Sequence, residues 1–337
     1  METNKVGRLD ALDFTKGALV LIMVFYHWLN YFVGLDFDYR YLRFLPPSFL
    51  FITGFLISHA YLQAASFSSR RAQIARRLLT RGLKLLGVFV VLNAAKVMIS
   101  PDLVYAPNQA AEVTAASVAR LFLVGPSETA KIASFYILIP ISYLLVLSGL
   151  LVRPYAQWRY TYHAVSAVLV CSVLALHARG VYSTNLEFLT LGVLGMFSGL
   201  MSIARVESLS RHYLWLALAY ACYLYAITVW NVPFGLLLLG VCLTLLVLYH
   251  ISSRFGKDTR TWRRMILLGQ YSLIGYIVQI AILQALRLAW RHLAPGPLGL
   301  YLTFVAAFVL TIVAVEFVAA ARTRSKIVAR VYQAAFA

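Results

Sequence analysis

Runs of about 20 apolar residues recur from one end of this chain to the other. That constrains the fold more than any other feature. Residues 17–34, GALVLIMVFYHWLNYFVG, are the first such run. With 337 residues and only 12% of them charged, the chain lacks the polar surface a soluble core of this size would need. In a bilayer each segment must satisfy its own backbone hydrogen bonds, which favours helices. The apolar runs are continuous rather than alternating, which excludes a β-barrel. The expectation is an all-α polytopic membrane protein, one integral domain over residues 1–337. Ten spans are expected near 17–34, 44–65, 83–100, 132–152, 160–177, 186–204, 212–230, 232–250, 265–288 and 299–321.

The connections alternate in charge. The N-terminus, the 66–84 loop, the 153–159 and 205–211 connections, the 251–264 loop and the C-terminal tail carry 22 of the 30 Lys and Arg. The positive-inside rule then places both termini in the cytoplasm, in agreement with an even number of spans. The net charge of +18 follows this topology, so nucleic acid is not the expected partner; membrane lipid is. Cys171, Cys222 and Cys242 fall in apolar runs and read as packing residues. The first run has Asp10 and Asp13 on its flank and no small-x-small cleavage site, so it is expected to remain as a span. No cluster of His, Cys and carboxylates has metal-ligand spacing, and no P-loop or dinucleotide fingerprint is present.

Polar groups inside a bilayer are costly, so each calls for a reason. Of seven histidines, only His27 falls near mid-depth. It lies about 16 Å beyond Lys16 along a helix, and eleven residues make nearly three turns, so the two share a face. Asp13, Asn30, Gln279 and Glu316 are candidate supporting residues. Glu316 lies either on a substrate path or in a pair with a nearby arginine such as Arg322. In the 66–84 loop, Arg70, Arg77, Arg81 and Lys84 are spaced to form one basic stripe on a helix, which suits a polyphosphate or an anionic lipid equally. A cytoplasmic phosphate site, a membrane passage and a mid-depth imidazole suit acyl transfer from acyl-CoA, whose anionic nucleotide end and thin pantetheine arm match that layout. A proton-coupled transporter or lipid-handling protein with His27 as relay is the alternative.

At these residues the chain resembles a known family. RLDALDFTKGALVLIMVFYHW (residues 8–28) is similar to the first span of the acyltransferase-3 family, including its periplasmic-glucan succinyltransferase (OpgC-like) branch. The family pattern is Asp-x-x-Arg-Gly with a His eleven residues after the Arg. Asp13, Gly17 and His27 match it, and Lys16 replaces the Arg. FLFITGFLIS (49–58), RRAQIARR (70–77) and LGQYSLIGYIVQ (268–279) resemble further family segments, with Gln279 where many relatives carry His.

The resemblance implies an integral membrane O-acyltransferase of the bacterial inner membrane, with His27 catalytic. Lys16, Arg70, Arg77, Arg81 and Lys84 would hold acyl-CoA. The acyl group, acetyl or succinyl, would pass to a hydroxyl of an extracytoplasmic acceptor such as a glycan.

Overall fold

The computed structural model describes residues 10–33, 39–62, 71–99, 114–126, 135–201, 203–230, 232–254, 259–293 and 296–336. Its helices are α1 (Asp10–Trp28), α2 (Leu45–Ile57), α3 (Arg71–Ile99), α4 (Ala115–Leu123), α5 (Leu138–Gln157), α6 (Thr161–Ala178) and α7 (Thr184–Gly199). The rest are α8 (Ile203–Arg211), α9 (Tyr213–Val229), α10 (Phe234–Arg254), α11 (Arg260–Gln270), α12 (Ser272–Leu293), α13 (Pro297–Arg324) and α14 (Lys326–Phe336). No strand occurs among the described residues. The chain is an all-α, multi-pass membrane protein. Among the described residues, seven helical segments are long and apolar enough to cross a bilayer by themselves, or eight if α7 and α8 form one broken span.

Each of the ten expected spans falls at least partly on helix, but only seven or eight segments among the described residues are long and apolar enough to cross, and four details differ. The second is a 13-residue α-helix extended by a π-helical turn, Ser58–Leu62. The sixth, expected over 186–204, runs across the break between α7 and α8, and α7 alone has 16 residues. The seventh, α9, has 17 residues. The expected ninth span is divided at Tyr271 into α11 and α12. The sequence explains that division: α11 begins RTWRR, too polar for the hydrocarbon core, and only the α12 part is long and apolar enough to span.

The helices group into two compact units. One holds residues 1–49 and 202–330, the other 50–201 and 331–337. In the first, α1 packs against α10, α11, α12 and α13. Small residues set the α1–α11 crossing. A methyl group on Gly17 would overlap the Met265 carbonyl, and one on Gly269 would overlap the Asp13 carbonyl. Glycine at both positions lets the backbones meet, as membrane helix pairs often require. The Phe14 and Trp262 rings stack across the same crossing at 4.8 Å. Towards the other end of α1, Trp28 donates from Nε1 to Thr303 Oγ1 at 3.2 Å and lies edge-on to Phe304. Val24, Trp28, Phe32, Leu283 and Ala307 form an apolar core there.

In the second unit, α3 lies along α5, and α2 with its π-helical turn lies along α7. The Ser58 hydroxyl donates to the Met196 carbonyl at 2.6 Å, fixing that turn to α7.

Candidate functional site

His27 occupies the last turn of α1, immediately before a π-helical turn, Leu29–Val33. A π turn inserts one residue into the i→i−4 ladder and changes the direction of the side chains around it; such turns concentrate at functional sites. The imidazole meets the Tyr26 ring at 5.1 Å and the Tyr276 ring of α12 at 6.4 Å. Among the described residues no side chain or carbonyl hydrogen-bonds either ring nitrogen. The imidazole is half-buried. It is held by packing, with its proton-transfer atoms uncommitted.

A file of polar side chains continues from it. Tyr31 follows one turn along. Its hydroxyl accepts from Gln284 Nε2 at 3.4 Å, and the Arg287 guanidinium lies 5.8 Å from its ring. One turn along α12 from Tyr276 is Gln279. It is fully buried, and neither its amide oxygen nor its amide nitrogen has a partner among the described residues. A buried amide without partners costs about 1–3 kcal/mol. Gln279 is therefore the clearest sign within this unit of a site built for something other than stability.

The remaining expected residues divide between places. Lys16 does not stand alone: its Nζ pairs with Asp13 Oδ1 at 2.6 Å, and both side chains are largely buried, at 16% and 10% exposure. The pair makes the mouth of α1 close to neutral. Asn30 donates from Nδ2 to the Tyr26 carbonyl at 2.9 Å, a bond that runs back across the start of the π turn. Glu316 accepts from Arg264 Nε at 2.8 Å, whereas Arg322 donates to the Tyr271 hydroxyl at 3.3 Å. Of the two readings of Glu316, the structure shows the pair with an arginine, and the partner is Arg264 of α11 rather than Arg322.

Arg77, Arg81 and Lys84 lie on α3, in the second unit, and Arg70 lies outside the described residues. Arg81 donates to the Tyr61 hydroxyl at 3.1 Å and Lys84 to the Gln333 carbonyl at 3.2 Å. Two members of the expected stripe therefore bond to protein neighbours, and Arg77 is exposed.

Reasoning from sequence missed Gln284, Arg287 and the arginines of α11. Arg287 was findable, since it is an ionisable residue inside an apolar run. The α11 arginines were masked by the positive-inside rule, which accounts for any loop arginine without asking what surrounds it.

The structure thus defines a helical, multi-pass membrane protein whose first span carries an imidazole beside a file of partly buried polar groups. No family model, no curated protein and no solved structure matches the chain.

Proposed function

We propose that this protein is an integral membrane O-acyltransferase of the bacterial inner membrane that uses acyl-CoA. The observation that carries the proposal is His27: an imidazole inside the first span, in the last turn of α1 next to a π turn, packed between tyrosines, with no protein hydrogen bond committing its ring among the described residues. A general base needs that freedom. Its nitrogen takes the proton of an acceptor hydroxyl as the oxygen attacks the thioester carbonyl carbon. The tetrahedral intermediate then collapses, the C–S bond breaks, and the imidazolium returns the proton to the departing thiolate. The products are an ester and free CoA, with no net proton change. Gln279, with an uncommitted N–H donor, suits the carbonyl oxygen on which charge develops.

Support for the family comes from the first-span pattern Asp13, Lys16, Gly17 and His27, and from the Ser272, Tyr276, Gln279 segment that packs on the same helix. Lys16 departs from the family's arginine, and its pairing with Asp13 leaves it less charge to offer a phosphate. Acetyl and succinyl are the donor groups considered, and a glycan hydroxyl outside the cytoplasm is the acceptor.

A second reading is favoured by the file His27, Tyr31, Gln284 and Arg287, which would equally suit a proton relay in a transporter.

The test is acyl transfer by purified protein from acetyl-CoA and succinyl-CoA to an oligosaccharide, compared between wild type and His27→Ala. Loss of transfer with CoA binding retained is the expected result. Undiminished transfer in the variant would remove His27 from the chemistry, and pH-driven flux without any CoA dependence would establish the transporter.

A further inference from the structure

We propose that a pocket on α11, built from residues other than His27 and its neighbours, binds a phosphate-bearing anion. The pocket has a volume of about 310 Å³ and is lined by Arg260, Arg263, Arg264 and Leu267 of α11 and by Glu316 of α13. The three arginines are spaced i, i+3 and i+4, so they share one helix face. Against them stands one carboxylate, leaving the pocket with an excess of two positive charges.

Glu316 does not cancel the site; it organises it. It engages Arg264 through Nε alone, at 2.8 Å, so among the described residues the two terminal nitrogens of that guanidinium remain uncommitted. Arg260 and Arg263 have no carboxylate partner among the described residues. Arginine presents a planar fork of donors, which matches phosphate oxygens.

Arg260 is the first residue of α11, whose N-terminal N–H groups add to the positive potential. Thr259 caps that helix by accepting from the Trp262 N–H at 3.1 Å, so the arginine-bearing turn is ordered. Charges that serve only the positive-inside rule need neither a concavity nor a carboxylate that orients one of them. A larger cavity, about 430 Å³ and lined by Leu209, His212, Trp215, Leu216 and Leu246, is mostly apolar and has no comparable charge set.

The pocket is tied to the first span. The turn after Arg264 carries Met265, whose carbonyl packs on Gly17, and Trp262 stacks on Phe14. The anion would thus sit at the same end of α1 as the neutralised Lys16–Asp13 pair, and α11 would supply the charge that the pair cannot. An open depression of this size seats one or two phosphate groups, and the rest of a larger ligand would extend beyond it. Phosphate chemistry has two sources on this side of a membrane: the phosphorylated end of a soluble donor, or a lipid headgroup. Assignment to the donor rests on the transferase reading; the site itself does not.

The test uses full-length protein in detergent at fixed ionic strength. Adenosine 3′,5′-bisphosphate and CoA are titrated into wild type, into Arg260→Gln/Arg263→Gln, and into Arg205→Gln/Arg211→Gln, which removes the same charge from α8. Melting without ligand checks that each variant is folded. The expected result is saturable binding of both ligands, weakened about thirtyfold in the α11 variant and unchanged in the α8 variant.

In a parallel arm, co-purifying phosphatidylglycerol is quantified, and binding to vesicles with and without that lipid is measured. If neither soluble ligand binds but lipid retention falls in the α11 variant alone, the site stands with a lipid occupant. Equal behaviour of wild type and the α11 variant in both arms overturns the proposal. Bisphosphate carries no thioester, so its arginine-dependent binding without any acyl transfer would leave the pocket standing and the transferase reading refuted.

Discussion

Replacing Gln279 by methionine should make the ligand-free protein more stable. The side chain is fully buried on α12, and both polar atoms of its amide lack a partner among the described residues. Mutational data place the cost of an unpaired buried amide at about 1–3 kcal/mol. Methionine is unbranched, of similar volume and adaptable in shape, so the repacking penalty should stay below about 1.5 kcal/mol. The net expectation is a gain of about 1 kcal/mol.

The gain should hold in a membrane setting too, where polar side chains in the unfolded reference also find partners and each interhelical hydrogen bond contributes only about 0.6 kcal/mol. Reversible unfolding of the two proteins in mixed micelles, without CoA, measures the difference. A loss of 1 kcal/mol or more in Gln279→Met would refute the reasoning, because it would mean that the amide is hydrogen-bonded in the folded protein. A stabilised variant with impaired transfer would match a residue kept for function at the expense of stability.

Other perturbations test the frame around the site. Gly269→Val drives a branched side chain into the Asp13 carbonyl and should destabilise the first unit by about 1–3 kcal/mol or more, seen as a lower melting temperature. Trp28→Phe removes the Nε1 bond to Thr303 while keeping most of the ring packing, and should cost about 0.5–1.5 kcal/mol in the same unfolding assay. Arg81→Gln removes one bond to Tyr61 at a partly exposed site, and a stability change within about 1 kcal/mol is expected from thermal melts.

The linear pattern of apolar residues determined that this chain is helical, that it crosses the membrane many times, and roughly where. It can do so because a helix in lipid satisfies its backbone within one segment, so the length and apolarity of that segment decide its fate. The pattern also singled out His27, since a mid-depth imidazole is conspicuous in any apolar run. It could not determine which polar side chains meet.

That depends on the rotation and height of each helix against its neighbours, and here contacts such as Gly17 on Met265 and Gly269 on Asp13 set both. Only the tertiary structure paired Lys16 with Asp13, gave Glu316 to Arg264, left the Gln279 amide unmatched among the described residues, and gathered three arginines of α11 around one open pocket. Hydropathy measures how a residue meets lipid and water. The chemistry of a site comes from how side chains meet one another, and steric fit between helix surfaces decides that.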